Sequence, residues 1–120
     1  DRIELNVVDD QRGGPTPAAD IAQTLISIAL AFQAGRGVSG LFHYVGAPTV
    51  SWADFAEAIL AQGACVKTVN RIQTSQYPTP APRPANSVLD CSRIAQNYGI
   101  NQPDWRTGLR IVLAKLENEV

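Results

Sequence analysis

The spacing of apolar residues along the chain predicts a mixture of strands and helices. Ile3, Leu5 and Val7 alternate with polar residues, a period of two that predicts a strand near the beginning of the chain. Residues 66–74 predict another strand, and the short apolar stretch at residues 41–45, bounded by glycines, indicates a buried one. No internal repeat is present in the sequence.

A first helix is predicted to begin at Thr16 and Pro17. A hydroxyl can cap the first turn, and proline suits the first helical position because its missing N–H would have no partner there. Gly35 fits the end of this helix. The residues expected to face the core are Ile21, Leu25, Ile28, Ala29 and Phe32.

Three further helical segments are predicted in the rest of the chain. Ser51, three residues before Asp54, is placed to cap a helix that runs to Gly63. Asp90 or Ser92 can cap a brief helix, and an amphipathic helix ends the chain. The apolar stripes of the second and last helices are Trp52, Phe55, Ala56, Ile59 and Leu60, and Trp105, Leu109, Val112, Leu113 and Leu116. Because both tryptophans lie on such stripes, we expect them to pack in the core.

This order of elements predicts an α/β fold with few short strands and three to four helices, in one domain spanning residues 1–120. A net charge of −1 gives no basic surface for nucleic acid or an anionic membrane. Cys65 and Cys91 are far apart and form no metal motif with His43, the single histidine, so we interpret them as reduced thiols of a cytoplasmic protein.

Two polar loops carry the candidate chemistry. Residues 9–17 (DDQRGGPTP) offer carboxylates, an amide, a guanidinium and backbone N–H groups ahead of a helix start. Residues 77–87 (YPTPAPRPANS) place four of the eight prolines at alternate positions, so that Arg83 and Asn86 lie on a stiffened backbone. Guanidinium groups bind phosphate oxygens in a bidentate manner. The loops therefore suit a ligand with a diphosphate and hydroxyl groups; an extended spacer and ordinary surface loops are the alternatives.

The sequence contains no catalytic constellation. His43 lies among large apolar residues, which is typical of a core histidine, and neither Ser39 nor Ser51 has a neighbouring base. Gly13 and Gly14 follow a predicted strand, but no GxGxxG or GK[ST] pattern accompanies them, so a plain turn is the interpretation.

Five blocks of the sequence together resemble a known family. They are VVDDQRGGPTPAADIA, GLFHYVG, SWADFAEAI, YPTPAPRPANSVLD and PDWRTGLRIVL. In order and spacing they are similar to the C-terminal part of the dTDP-4-dehydrorhamnose reductase family, which belongs to the extended short-chain dehydrogenases/reductases. The resemblance covers essentially the whole chain, and the pair VxDQxGxPT and YPTPAxRPxNSxLD is its most specific part.

The resemblance implies a nucleotide-sugar-binding portion of a longer reductase. In the family, an N-terminal Rossmann domain binds NADPH and carries a tyrosine–lysine pair. This chain has neither a glycine-rich fingerprint nor a YxxxK motif, and it contains no methionine, so we expect a fragment that is inactive alone and lacks the Rossmann domain. Its expected partners are a dTDP-sugar, the missing domain and a second copy. The implied substrate-binding residues are Gln11, Thr16, Tyr77, Arg83 and Asn86, with Arg83 on the diphosphate.

Two points of the resemblance leave alternatives open. Some members of the family bind Mg²⁺ through acidic residues after the PT of the first loop, and here only Asp20 remains, so no metal site is predicted. The rivals to the reductase interpretation are a non-catalytic relative, such as the regulatory β subunit of methionine adenosyltransferase, and another nucleotide-sugar epimerase or reductase.

Overall fold

The structure, a computed structural model, describes residues 4–62 and 68–118 and divides into two compact units. The first consists of Asp1–Pro15 and Thr49–Val88, and the second of Thr16–Pro48 and Leu89–Val120. Each unit is thus built from two segments that are distant in sequence. The predicted α/β class, with a few short strands and four α-helices among the described residues, is confirmed.

A parallel strand pair forms one layer of the first unit. Strand β1 (Glu4–Val8) pairs with β4 (Thr68–Ile72), and Leu5 lies opposite Val69. A parallel pair needs a crossover connection, which here contains helix α2 (Trp52–Leu60) packed on both strands. The two predicted strands are confirmed over these ranges, whereas Ile3, Cys65 and Gly63 lie outside the described residues.

A second, antiparallel pair leads into helix α2. Strand β2 (Arg12–Gly13) pairs with β3 (Val50–Ser51), whose two residues are buried. The Ser51 hydroxyl accepts a hydrogen bond from the backbone N–H of Asp54 at 3.0 Å, so the predicted cap is confirmed. The Asp54 carboxylate does not complete a capping box but forms an ion pair with Arg71 of β4 at 2.6 Å. This hydrogen-bonded guanidinium lowers the pKa of Asp54.

The second unit is helical. It contains α1 (Ala18–Gln33), α3 (Ser92–Tyr98) and α4 (Trp105–Asn118). Trp105 is buried, and its indole N–H donates to the carbonyl of Pro48 at 2.8 Å, which confirms its predicted core position. The N-cap residue of α3 is Cys91, and no side chain caps this helix, so neither Asp90 nor Ser92 is the cap that the sequence predicted. The Asp90 carboxylate instead accepts from the backbone N–H of Ser92 at 2.9 Å, one residue ahead of the N-cap. Ala31, Cys91 and Ile94 are also buried in the apolar core of the second unit.

The beginning of α1 differs from the prediction. Pro17, not Thr16, is the N-cap residue, and no side chain caps this helix end. The Thr16 hydroxyl instead accepts a hydrogen bond from the backbone N–H of Gly46 at 3.0 Å. The hydroxyl thus satisfies a loop donor distant in sequence, which local spacing alone could not reveal.

The buried face of α1 also differs from the prediction. Thr24 and Ala31 are buried, whereas Leu25 is 62% exposed and Phe32 49% exposed. The helix is apolar around most of its circumference, so spacing could not identify which face this unit covers. The predicted end at Gly35 is confirmed, since this glycine has a φ of 76°.

No strand forms at residues 41–45 in the part of the chain that the structure describes. Side chains bind the polar backbone at both ends of this stretch: Arg93 donates to the carbonyl of Leu41 at 3.0 Å, and Gln102 donates to that of Val45 at 3.1 Å. A strand exists only where a neighbouring strand accepts its hydrogen bonds, and none is described beside this one. The strand prediction is therefore wrong for this structure.

Candidate functional site

A cavity of about 720 Å³ lies within the first unit. Its size is in the range of sites that hold small organic ligands and cofactors. Both polar loops singled out in the sequence contribute to its wall. The residues that line it are Asn6, Val7, Val8, Gln11, Trp52, Thr74, Tyr77, Thr79, Arg83, Pro84 and Ser87.

The end of β1 and the short 3₁₀ turn Thr74–Gln76 form one side of the cavity. Asp10 fixes this turn: its carboxylate accepts from the backbone N–H of Thr74 at 2.9 Å and from the Thr74 hydroxyl at 2.6 Å. Gln11 donates from its side-chain amide to the same hydroxyl at 3.1 Å. The hydrogen bond from the Thr74 hydroxyl is the main reason why the pKa of Asp10 is lowered.

The proline-rich segment, residues 77–87, supplies the opposite polar groups. Tyr77, Thr79 and Arg83 all line the cavity. The end of the segment is fastened to β2, because the backbone N–H of Arg12 donates to the carbonyl of Ala85 at 2.8 Å. The segment is therefore part of a cavity wall and not a free spacer.

Trp52 occupies a position that the sequence did not predict. Its indole lies edge-to-face against Phe55, with ring centroids 6.4 Å apart, as expected for a packed aromatic residue. The side chain is nevertheless only half-buried and lines the cavity. The helical stripe correctly indicated the packed side of Trp52, but it carried no signal for the second, cavity-facing side.

The structure brings three of the five implied binding residues together at this cavity: Gln11, Tyr77 and Arg83. Asn86 is not among the lining residues, and its side-chain oxygen accepts from the backbone N–H of Val88 at 2.9 Å. Thr16 belongs to the second unit. For all five residues, contact with a ligand stays a prediction. The lining residues that sequence reasoning missed include Asn6, Thr74 and Ser87, which no local pattern distinguishes from ordinary polar residues.

Arg83 is the cation of the cavity. In the described part of the chain, Asp54 and Glu57 are the carboxylates that form ion pairs, and both pair with Arg71. The guanidinium of Arg83 therefore has no ion-pair partner there. An exposed guanidinium beside hydroxyl, amide and aromatic groups can bind a phosphate and the ring system attached to it.

The common motif for a dinucleotide is absent from the sequence, and a side-chain cluster for a metal ion is absent from the described residues. No glycine-rich fingerprint and no YxxxK motif occurs in the sequence. Among residues 4–62 and 68–118, no three His, Cys, Asp or Glu side chains come together as metal ligands. The same described residues include no helix that is long and apolar enough to span a membrane. His43 is half-buried in the second unit.

Comparison with known proteins gives consistent matches over nearly the whole chain. The chain is 46% identical over 120 residues to a dTDP-4-dehydrorhamnose reductase of Aggregatibacter actinomycetemcomitans, covering 94% of this chain and 41% of that protein. It is 35% identical over 125 residues to the enzyme of the same name from Escherichia coli K12, covering 97% of this chain and 41% of that protein. The chain thus spans about two fifths of the length of these relatives.

Solved structures show the same fold. A crystal structure of a dTDP-4-dehydrorhamnose reductase ortholog from Clostridium acetobutylicum matches with a TM-score of 0.83 and 32% identity, over 97% of this chain and 40% of that one. The reductase of Bacillus anthracis, in complex with NADP, matches with a TM-score of 0.82 and 26% identity, over 95% of this chain and 39% of that one. The family model of the RmlD substrate binding domain matches residues 1–118. With a match of that extent, the chain belongs to the RmlD substrate-binding domain family.

Proposed function

We propose that this chain is the nucleotide-sugar-binding part of an NADPH-dependent reductase that converts dTDP-4-dehydro-L-rhamnose to dTDP-L-rhamnose, a polysaccharide precursor. The observation that carries the proposal is the cavity of the first unit, where an arginine without an ion-pair partner among the described residues lies beside polar and aromatic side chains. The curated relatives that carry the reductase name support the choice of reaction.

The chemistry of the cavity fits the parts of such a substrate. Arg83 would bind the diphosphate, since a guanidinium can donate two parallel hydrogen bonds to phosphate oxygens. Gln11 and Thr74, already linked by a hydrogen bond of 3.1 Å, would bind sugar hydroxyls or base carbonyls. Tyr77 and Trp52 would contact the flat rings. Asn86 and Thr16, whose side chains accept from the backbone N–H groups of Val88 and Gly46, remain proposed substrate-binding residues.

The reduction itself would take place with groups outside this chain. NADPH would be bound by the Rossmann domain of the longer protein, which would also supply the tyrosine–lysine catalytic pair. We propose a cytoplasmic location, a homo-oligomer and no nucleic-acid, membrane or Mg²⁺ requirement. The chain alone, as one substrate-binding domain of residues 1–120, would bind the nucleotide-sugar and show no reductase activity.

The test is NADPH oxidation by the full-length protein with dTDP-4-dehydro-L-rhamnose, followed by absorbance at the nicotinamide band. Turnover of this keto-sugar, and none by the 120-residue chain alone, is the expected result. Binding of dTDP without any oxidation of NADPH would favour a non-catalytic relative. Oxidation with a different nucleotide-sugar only would show that the cavity belongs to another epimerase or reductase.

A further inference from the structure

Gly13 lies where two lining residues of the cavity meet the backbone of β2. A Cβ atom at this position would be 2.6 Å from the hydroxyl oxygen of Ser87, a separation that real Cβ atoms essentially never show. The next nearest atoms belong to the Trp52 ring, at 3.4 and 3.5 Å, which is ordinary van der Waals contact. The absence of a side chain at Gly13 therefore leaves the space that the Ser87 hydroxyl occupies.

Ser87 is one of the groups that fasten the proline-rich segment to β2. Its backbone N–H donates to the carbonyl of Arg12 at 2.8 Å, and its hydroxyl donates to the same oxygen at 3.1 Å. The backbone N–H of Arg12 in turn donates to the carbonyl of Ala85 at 2.8 Å. Three hydrogen bonds thus join the last residues of the segment to the residue that precedes Gly13.

This attachment lies close to the cation of the cavity. Arg83 is two residues before Ala85, and the intervening Pro84 has a fixed φ, so little freedom separates the attachment from the guanidinium. A shift at Ser87 would therefore be expected to change the position of Arg83. Ser87 and Arg83 both line the cavity.

We propose that Gly13 is a positioning residue of the ligand site: its missing side chain lets Ser87 fasten the proline-rich segment to β2, and this attachment holds Arg83 where it binds a nucleoside diphosphate. The proposal rests on the proposed function, because it takes Arg83 as the diphosphate ligand. It assigns to the glycine of the VxDQxGxPT block a role in affinity and not in turn formation.

The backbone conformation of Gly13 makes the proposal testable by a single methyl group. The glycines with positive φ among the described residues are Gly35, Gly40 and Gly99, so Gly13 has a conformation that alanine can adopt without strain. In Gly13→Ala the Ser87 hydroxyl must rotate away from the Arg12 carbonyl or the segment must move. Rotation alone would leave both backbone bonds in place and reproduce Ser87→Ala, whereas movement of the segment, the response that the proposal expects, alters all three bonds.

The experiment is a double-mutant cycle in the full-length protein, with the Kd for dTDP measured by calorimetry. Gly13→Ala is expected to weaken dTDP binding about tenfold, and Ser87→Ala, which keeps the backbone bond to Arg12, by less than about threefold. In the double variant the clash is removed, because Ser87→Ala deletes the hydroxyl oxygen and no other atom lies closer than 3.4 Å to the new Cβ. Its Kd is therefore expected to return to that of Ser87→Ala.

Gly35→Ala is the matched control. It adds the same methyl group in the second unit, at a φ of 76° and with no atom within 4 Å, so it strains the backbone without touching the cavity. It is expected to lower the melting temperature and to leave the Kd for dTDP unchanged.

The outcomes separate this inference from the proposed function. Wild-type affinity in Gly13→Ala, or a double variant as weak as Gly13→Ala, overturns the positioning role while dTDP binding by the wild type still supports the function. No dTDP binding by the wild type overturns both. If Gly13→Ala fails to fold, folding and binding by the double variant support the inference, and a double variant that also fails to fold overturns it.

Discussion

Arg83 is held between Pro82 and Pro84, which fix φ on both sides of it. The arginine therefore loses less backbone entropy on binding than it would in a flexible loop. We predict that Arg83→Ala in the full-length protein raises the Kd for the nucleotide-sugar tenfold to hundredfold, about 1–3 kcal/mol of binding free energy, with little change in melting temperature. Calorimetry and thermal unfolding of the same preparation measure both quantities.

Two variants control for charge and geometry at Arg83. Arg36→Ala removes one exposed guanidinium from the second unit and is expected to leave the Kd unchanged. Arg83→Lys keeps the charge but not the planar fork, so it should recover only part of the affinity. A large loss of stability in Arg83→Ala, with unchanged affinity, would show that this side chain fastens the loop and does not bind the ligand.

Trp52 and Trp105 should respond differently to the ligand. Trp52 is half-buried and lines the cavity, whereas Trp105 is 3% exposed and hydrogen-bonded to the carbonyl of Pro48. In full-length protein labelled with 5-fluorotryptophan, the ¹⁹F resonance that Trp52→Phe removes is predicted to shift on addition of dTDP. The Trp105 resonance is predicted to stay in place. A stationary Trp52 resonance at saturating dTDP would contradict contact between this ring and the ligand.

At the scale of elements, the sequence correctly predicted two helix ends that depend on residues close together in the chain. The Ser51 cap of α2 and the glycine at the end of α1 depend on residues within three positions, and the structure has both of them. Thr16 was misjudged because its partner, the backbone N–H of Gly46, is 30 residues away in sequence. Trp52 was misjudged in part because the cavity that it lines is completed by residues distant in sequence. The candidate site was accessible mainly through the resemblance, since its lining comes from three separate stretches of chain.

The cap of α2 gives a stability prediction at this scale. Ser51 is 2% exposed, and its hydroxyl satisfies the backbone N–H of Asp54 in the first turn. Ser51→Ala should lower the free energy of unfolding by about 0.5–2 kcal/mol, because this donor then loses its side-chain partner. Urea denaturation measures the change. Ser27→Ala, at an exposed position within α1, is the control and is expected to change stability by less than about 0.5 kcal/mol.

The connection between β1 and the 3₁₀ turn predicts a dependence on pH. The Thr74 hydroxyl and N–H lower the pKa of Asp10, so the folded state binds a proton at Asp10 less readily than the unfolded chain does. The stability from this carboxylate is therefore present above the ordinary Asp value of about 3.9 and is lost as the pH falls through the lowered folded value. Melting temperatures between pH 6 and pH 2 are predicted to fall less steeply in Asp10→Asn than in the wild type.

Asp9→Asn provides the comparison for this pH series. It removes one negative charge from the neighbouring residue without removing the hydrogen bonds to Thr74. Its pH profile is predicted to run parallel to that of the wild type. If Asp9→Asn and Asp10→Asn flatten the profile equally, overall charge and not the Asp10–Thr74 contact accounts for the effect.

At the scale of the whole molecule, the helices α1 and α4 expose a large number of apolar side chains. Leu25, Leu30 and Phe32 of α1 are each about half exposed or more, at 62%, 55% and 49%. On α4, Ile111 and Leu116 are similarly exposed. A helix that is apolar around most of its circumference is usually covered on more than one side.

The isolated 120-residue chain is therefore predicted to self-associate, because exposed apolar faces lower their free energy by contact with each other. Light scattering during size exclusion should give an apparent mass that rises with protein concentration. Leu25→Glu should reduce this rise without lowering the melting temperature of the isolated chain, while Gln23→Glu, with the same change of charge at another exposed position of α1, should not. In the full-length protein, Leu25→Glu is expected to lower stability, since a covered leucine would be replaced by a buried charge. A strictly monomeric isolated chain at high concentration would show that α1 needs no cover.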